Sequence, residues 1–185
     1  MFDTLTTGRL ALRRLAAADA APMFAYRALP EISRYQNWEP ASAEEIAAFI
    51  ADQARLAPNT PDTWFQLGIE LAATGELIGD LGLHFLPGDD RQAEVGITLA
   101  PAHHGRGYAA EAWRAALSYL FDDLGKHRVI GSVDPRNRAS LALMERVGMR
   151  REAHFVESLW FKDDWADDVV FAMLAREWRE KGART

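Results

Sequence analysis

Three strand-like runs in the middle of the chain constrain its fold more than any other feature. They cover residues 64–72, 76–86 and 93–101, and the short segments between them contain Gly75 and Gly88. Apolar runs of this length, joined by short glycine-containing turns, are typical of neighbouring antiparallel strands. They predict a three-stranded meander.

The elements around this meander predict how the sheet is completed. A helix over residues 108–124 and a strand over residues 128–134 follow the third run directly. A strand–helix–strand unit placed after a meander requires a mixed sheet, so the α/β (α+β) class follows from the pattern alone. The remaining elements are predicted as strands at residues 9–15, 149–161 and 168–175 and helices at residues 19–29, 42–56 and 139–147.

The ends of two of these helices have recognisable signals. Ser42 is followed three residues later by Glu45, which is a capping box at a helix start. Gly148 stands where a C-terminal cap is expected. In total the patterns predict about seven strands and about four helices in one domain, residues 1–185.

The composition excludes several classes of function. The chain has 185 residues and no cysteine, which excludes disulfides, thiolate metal sites and a cysteine nucleophile. No apolar run approaches the roughly 20 residues that span a membrane, and the first residues lack a signal-peptide pattern. We therefore expect a cytoplasmic protein that has no membrane partner.

The charge distribution indicates where a ligand is to be sought. The net charge of −6 disfavours broad nucleic-acid binding, so we expect no nucleic-acid partner. Residues 103–151, however, contain nine Lys or Arg against five Asp or Glu. An anionic ligand and chance clustering on solvated faces explain this basic stretch equally well.

A loop within the basic stretch has the composition of an anion site. Gly105 and Gly107 flank Arg106 immediately before the helix predicted from Tyr108. A helix N-terminus has unpaired amides and a partial positive charge, and glycines let an anion approach the backbone closely. The loop therefore predicts a phosphate cradle.

Other interpretations of this loop are weaker or stay open. The run GRGYAA fits a loose dinucleotide fingerprint with Asp134 as its acidic residue, but it stands four residues after the strand and follows a meander. No P-loop run is present, and the adjacent His103 and His104 make a poor metal site because neighbouring side chains diverge. A plain structural turn remains an alternative.

Five segments, given in chain order, help to choose between these interpretations of the loop: RLALRRL, EVGITLAP, HHGRGYAAEA, VDPRNRASLALMERVGM and DDWADDVVFAMLAREW. Together they resemble the acetyl-CoA-dependent N-acetyltransferases of the GNAT superfamily, in particular the RimJ and RimL branch of ribosomal-protein N-terminal acetyltransferases. The resemblance spans nearly the whole chain. It implies a mixed, mostly antiparallel central sheet and direct acetyl transfer to a primary amine of a peptide N-terminus or a small molecule.

The resemblance also implies site residues. Asn137 would bind the pantetheine end of CoA, Ser140 would protonate the leaving thiolate, and the backbone amide of Leu99 would polarise the thioester carbonyl. His104 replaces the usual Gln or Arg of the loop. Ile97, Thr98 and Leu99 would also pair with the pantetheine arm. The other implied CoA-binding residues are His104, Gly105, Arg106, Gly107, Tyr108, Ala109 and Ala110. Asn137 and Ser140 fit a simple helix start equally well before the resemblance is considered.

The acceptor side is less defined by sequence. Glu70, His84 and Glu39 are candidate bases, and Trp38 with Glu39 lies in a loop that lines the acceptor side in similar proteins. No metal is expected. The aromatic Trp160 and Trp165 leave open a homodimer or an acceptor cleft. A non-catalytic acyl-CoA or nucleotide sensor is the alternative function.

Overall fold

The computed structural model of the protein describes residues 2–182. Within this range one eight-stranded sheet has the order β1-β2-β3-β4-β5-β6-β8-β7. The strands are β1 Leu5–Thr6, β2 Leu10–Arg14, β3 Thr63–Leu71, β4 Leu77–Phe85, β5 Gln92–Leu99, β6 Arg128–Val133, β7 Arg150–Phe161 and β8 Asp164–Leu174. The helices are α1 Ala20–Arg27, α2 Pro30–Ser33, α3 Ala43–Gln53, α4 Tyr108–Ser118, α5 Arg138–Val147 and α6 Ala175–Gly182.

The mixed, mostly antiparallel sheet is confirmed. Strands β3, β4 and β5 form the expected meander, and every neighbouring pair is antiparallel except β5 and β6. The parallel pair is connected through α4, as a parallel crossover requires. The structure adds the short β1 and the helices α2 and α6 to the seven strands and four helices expected.

Local signals account for the helix boundaries. The Ser42 side chain accepts a hydrogen bond from the Glu45 amide at 3.3 Å, so the predicted cap is present. The second half of the capping box differs, because the Glu45 carboxylate accepts from the amide of Ala41 and the indole of Trp38. Gly148 ends α5 in the left-handed conformation, with φ of +82°.

The two faces of the sheet have different surroundings. Helices α4 and α5 pack on one face, where Trp113, Leu117 and Met144 join the main core. On the other face α1 and α3 form a smaller cluster around Met23 and Ile46. The polar side chains of the meander are on this second face, whereas the starts of α4 and α5 are on the first.

The outer edge of the sheet is a long hairpin of β7 and β8. Trp160 and Trp165 pair edge-to-face across it, with ring centroids 5.5 Å apart, and both are more than half exposed. The homodimer that these side chains suggested stays a prediction. None of the helices within residues 2–182 has the length and apolar character to cross a membrane.

Candidate functional site

Strands β5 and β6 separate after a short parallel segment. Only Gln92 to Glu94 pair with β6, although β5 continues to Leu99 and remains paired with β4 along its length. The second half of β5, including Ile97 and Thr98, therefore has no strand partner on its β6 side. This edge offers backbone groups to an extended ligand, which is the physical basis of strand addition.

The glycine loop lies beyond the end of β5, before α4. Gly105 and Gly107 have φ of +73° and +80°, in the left-handed region that glycine adopts without strain. No residue in the described part of the chain accepts a hydrogen bond from the amides of residues 105–110. A Cβ built on Gly105 meets nothing within 4 Å. The loop is thus an open row of free donors at a helix N-terminus, which fits an anion.

The two histidines before this loop point in different directions. His104 Nε2 lies 2.9 Å from the carbonyl oxygen of Leu99 and donates to it, so this side chain ties the loop to the end of β5. His103 Nε2 lies 3.3 Å from the Glu76 carboxylate. Within residues 2–182 no three His, Cys, Asp or Glu side chains are grouped to hold a metal ion.

The structure also bears on the dinucleotide interpretation. A doubly wound fold needs a largely parallel sheet, whereas this sheet has one parallel pair. Asp134, the expected ribose ligand, instead accepts hydrogen bonds from the amide and guanidinium of Arg136. These contacts hold the loop between β6 and α5.

A cavity of about 520 Å³ opens beside the split. It is bounded by the splayed part of β5, the start of α5, the loop around Trp38 and the β7–β8 hairpin. Trp38, Ile97, Thr98, Asn137 and Ser140 all line it, so the structure brings together five of the residues singled out by sequence.

The floor of the cavity is the second face of the meander. The strand register places Gly82 and Gly96 directly opposite each other on neighbouring strands. A Cβ on Gly82 would lie 2.8 Å from both Gln66 Oε1 and Trp64 Cε3, which is too close for either contact. Gly82 therefore makes room for the Trp64 indole, whereas a Cβ on Gly96 would meet this indole at an ordinary contact distance of 3.6 Å.

Glu94, which the sequence pattern did not single out, supplies a carboxylate to this cavity. It stands opposite His84 in the register, with its Oε2 atom 3.6 Å from His84 Nδ1, and the His84 ring is stacked on Trp64 at 4.8 Å. Burial, reinforced by the charge of Asp168, raises the pKa of Glu94 although the neighbouring His84 opposes the shift. A carboxyl with a raised pKa in a cavity is a common property of functional acids and bases.

Asn137 and Ser140 begin helix α5 at the mouth of the split. The Asn137 side-chain oxygen accepts from the Ser140 amide at 3.1 Å, so the simple capping role is present. Capping occupies the oxygen of this amide and leaves its nitrogen available to a ligand. No described residue hydrogen-bonds the Ser140 hydroxyl.

Similarity to known proteins identifies the family of this chain. A family model described as an acetyltransferase (GNAT) domain matches residues 9–150. The chain belongs to the GNAT acetyltransferases.

Relatives along nearly the whole length are N-acetyltransferases by name. The uncharacterized N-acetyltransferase YoaA of Bacillus subtilis is 35% identical over 175 residues, which cover 94% of this chain and 98% of that protein. The ribosomal protein uS5-alanine N-acetyltransferase of Escherichia coli is 27% identical over 180 residues, 94% and 92% of the two chains. A crystal structure of a GNAT acetyltransferase from Bacillus anthracis has a TM-score of 0.85 at 25% identity, covering 95% and 100%.

Trp38 and Glu39, which the sequence predicts on the acceptor side, have different surroundings. Trp38 lines the cavity, where its ring packs on Phe49 and lies under the Arg27 guanidinium. Glu39 points to the hairpin instead, and its carboxylate pairs with Lys162 at 2.7 Å. The hydrogen bond from Lys162 lowers the pKa of Glu39.

The other two candidate bases differ in their distance from the cavity. Glu70 is paired with Arg13 at 2.5 Å and is not among the residues that line the cavity. His84 lies on the cavity face but beneath Trp64, where it contacts Glu94. The structure therefore puts Glu94, rather than these two residues, in contact with the cavity space.

A buried polar network supports the cavity wall. Asp80 is fully buried and accepts from the Tyr26 hydroxyl at 2.6 Å, from the Arg27 guanidinium and from the Gln66 amide. Arg27 and Gln66 also line the cavity. Removing one partner of a buried ion pair costs about 3–5 kcal/mol, so this network fixes the position of both side chains.

Proposed function

We propose that this acetyltransferase transfers the acetyl group of acetyl-CoA directly to a primary amine in a ternary complex. The observation that carries the proposal is the split between β5 and β6. It has the glycine loop at one end and a carboxylate-containing cavity at the other.

The residues at the split fit CoA. The free amides of residues 105–110 suit the diphosphate, because amides at a helix N-terminus bind phosphate oxygens without a cationic side chain. The unpaired edge of β5 at Ile97, Thr98 and Leu99 suits the two amides of the pantetheine arm. The Asn137 side-chain nitrogen is the further donor at the mouth of the split.

Acetyl-CoA supplies the thioester carbonyl that the amine attacks. The acceptor amine must be neutral, and an α-amino group with a pKa near 8 loses its proton far more easily than a lysine amine with a pKa near 10.4. Glu94 accepts this proton at its carboxylate, with His84 beside it. The Ser140 hydroxyl donates a proton to the departing CoA thiolate, and the Leu99 amide polarises the carbonyl oxygen.

The charge of the cavity supports an amine acceptor. Glu94 and Asp168 both line it, and the Asp168 carboxylate accepts from Ser132 at 2.6 Å without a cationic partner among the described residues. An ammonium ion entering the cavity relieves the repulsion between these two carboxylates. The acceptor is the α-amine of a peptide N-terminus, the substrate class named for the uS5-alanine relative, or a small-molecule amine.

Thiol release tests the function. Acetyl-CoA is incubated with the protein and a panel of N-terminal peptides, amino acids, polyamines and aminoglycosides, and free CoA is measured. Release that depends on one amine supports transfer, and mass spectrometry of that amine shows the added acetyl group. Tight CoA binding without release for any amine supports the non-catalytic sensor, and failure to bind CoA contradicts both functions.

A further inference from the structure

Arg9 contacts the glycine loop from outside the split. It stands in the turn between β1 and β2, and its Nη1 donates to the carbonyl oxygen of Arg106 at 3.0 Å. Its guanidinium lies 4.5 Å from the ring centre of Tyr108. A Cβ on Gly107 would lie 3.5 Å from Arg9 Nη2. The Arg9 side chain therefore contacts Arg106 and Tyr108 and lies beside Gly107 between them.

These contacts fix the direction of one amide. In a trans peptide the carbonyl and the following N–H point in opposite directions, so a donor on the Arg106 carbonyl turns the Gly107 N–H away from Arg9. This peptide plane is oriented by ψ of Arg106 and φ of Gly107, and glycine adopts positive and negative φ about equally readily, so the φ of +80° at Gly107 does not fix the plane by itself. The charged donor also polarises the peptide, which makes its N–H a stronger donor.

Arg9 also neutralises an acidic side chain beside the loop. Glu111, in the first turn of α4, accepts from Arg9 Nε at 2.7 Å, from the Arg9 amide at 3.0 Å and from Thr7 Oγ1 at 2.6 Å. Burial opposes ionisation of Glu111, but the hydrogen bonds from Thr7 and Arg9 outweigh it and its pKa is lowered. Without Arg9 this carboxylate would repel a diphosphate bound at the same helix end.

We propose that Arg9 is a positioning residue for CoA, which aims the Gly107 amide at the diphosphate and shields it from Glu111. The proposal rests on the proposed function. It assigns a role in CoA binding to the β1–β2 turn, more than 90 residues before the loop in sequence.

The test compares ligands with and without the diphosphate. Arg9→Met keeps the stem of the side chain and removes the guanidinium. Binding of CoA is measured by calorimetry, and binding of pantetheine, which lacks the diphosphate, by NMR titration. Arg114→Met is the matched control, because Arg114 also donates to a backbone carbonyl, that of Arg146, from the exposed side of α4.

We expect Arg9→Met to weaken CoA about 10-fold, equivalent to one charge-assisted hydrogen bond, and to leave pantetheine unchanged. Arg9→Lys should recover part of the loss, as should Glu111→Gln added to Arg9→Met, because both reduce the uncompensated charge. Unchanged CoA affinity in Arg9→Met, or equal losses for CoA and pantetheine, would overturn the proposal while leaving the proposed function intact. A native chain that binds neither ligand would instead contradict the proposed function.

Discussion

Gly105 and Gly75 are a matched pair of positions at which alanine substitutions test the proposed phosphate cradle. Gly105 in the loop has φ of +73°, and Gly75 in the β3–β4 turn has φ of +72°. A Cβ built on either one meets no atom within 4 Å. Alanine at each position therefore has the same backbone strain and the same freedom from steric clash in the protein alone.

The two substitutions differ in what a ligand meets. The left-handed conformation costs an alanine about 1–2 kcal/mol, so both variants should lose about that free energy of unfolding. Only at Gly105 does the new methyl group enter the space that a phosphate needs to reach the amides. Loss of one charge-assisted amide–phosphate hydrogen bond is worth about 1.5–3 kcal/mol, which corresponds to roughly a 10- to 150-fold rise in the Kd for CoA.

Calorimetric titration of CoA and urea denaturation separate these effects. We expect Gly105→Ala to bind CoA at least about 10-fold more weakly than Gly75→Ala while the two unfold at similar urea concentrations. Equal CoA affinity in the two variants would refute the cradle, because an added methyl group would then leave the approach to the amides unaffected. Native-like CoA affinity in Gly75→Ala would show that an alanine with positive φ outside the loop does not weaken CoA binding.

Three further substitutions test the chemistry and the acceptor side. Glu94→Gln should lower turnover by about 10²–10⁴ and remove the acidic limb of the pH–rate profile; a retained limb would exclude Glu94 as the base. Burial raises the folded-state pKa of Glu94, so the contribution of this side chain to stability is present at low pH and is lost as the pH rises through that pKa. Glu94→Gln should therefore raise the free energy of unfolding at pH 7, measured by urea denaturation. Ser140→Ala should lower kcat with unchanged CoA affinity, and an unaltered kcat would exclude it as the acid. Lys162→Met removes the ion pair with Glu39 and should raise the KM of an acceptor found by thiol release about two- to five-fold. The KM of acetyl-CoA should stay the same, and a change in it would contradict a purely acceptor-side role.

Hydrophobic periodicity predicted most of the fold because the long elements bury one regular face each. The missed elements are those that periodicity cannot resolve. Strand β1 has two residues and helix α2 has four, so each is too short for its hydrophobic pattern to repeat. Helix α6 follows β8 without a turn residue between them, so its start was absorbed into the strand predicted to reach residue 175.

The site was predictable where it is local in sequence. The glycine loop and the start of α5 each lie within one short segment, so the composition of the loop selected Gly105 and Gly107 as candidates, and the resemblance of the second segment selected Asn137 and Ser140. Glu94 has no such signal, because a glutamate in an alternating strand is ordinarily a solvated side chain. Its role as a candidate base follows from a register that places it opposite His84, and register is a property of the folded sheet.

The shape of the cavity floor depends on a glycine in β4, where no side chain is present. Gly82 and Gly96 face each other in neighbouring strands, where glycine is usually unfavourable because it weakens the sheet. Here the lack of a side chain at Gly82 leaves space for the Trp64 indole, which stacks on His84, and His84 in turn contacts Glu94. A side chain at Gly82 would displace Trp64 and Gln66 together, and the loss would reach the Asp80 network through Gln66. Gly82 therefore helps to shape the floor of the cavity that we propose for the acceptor, as Gly105 and Gly107 shape the loop that we propose for the diphosphate.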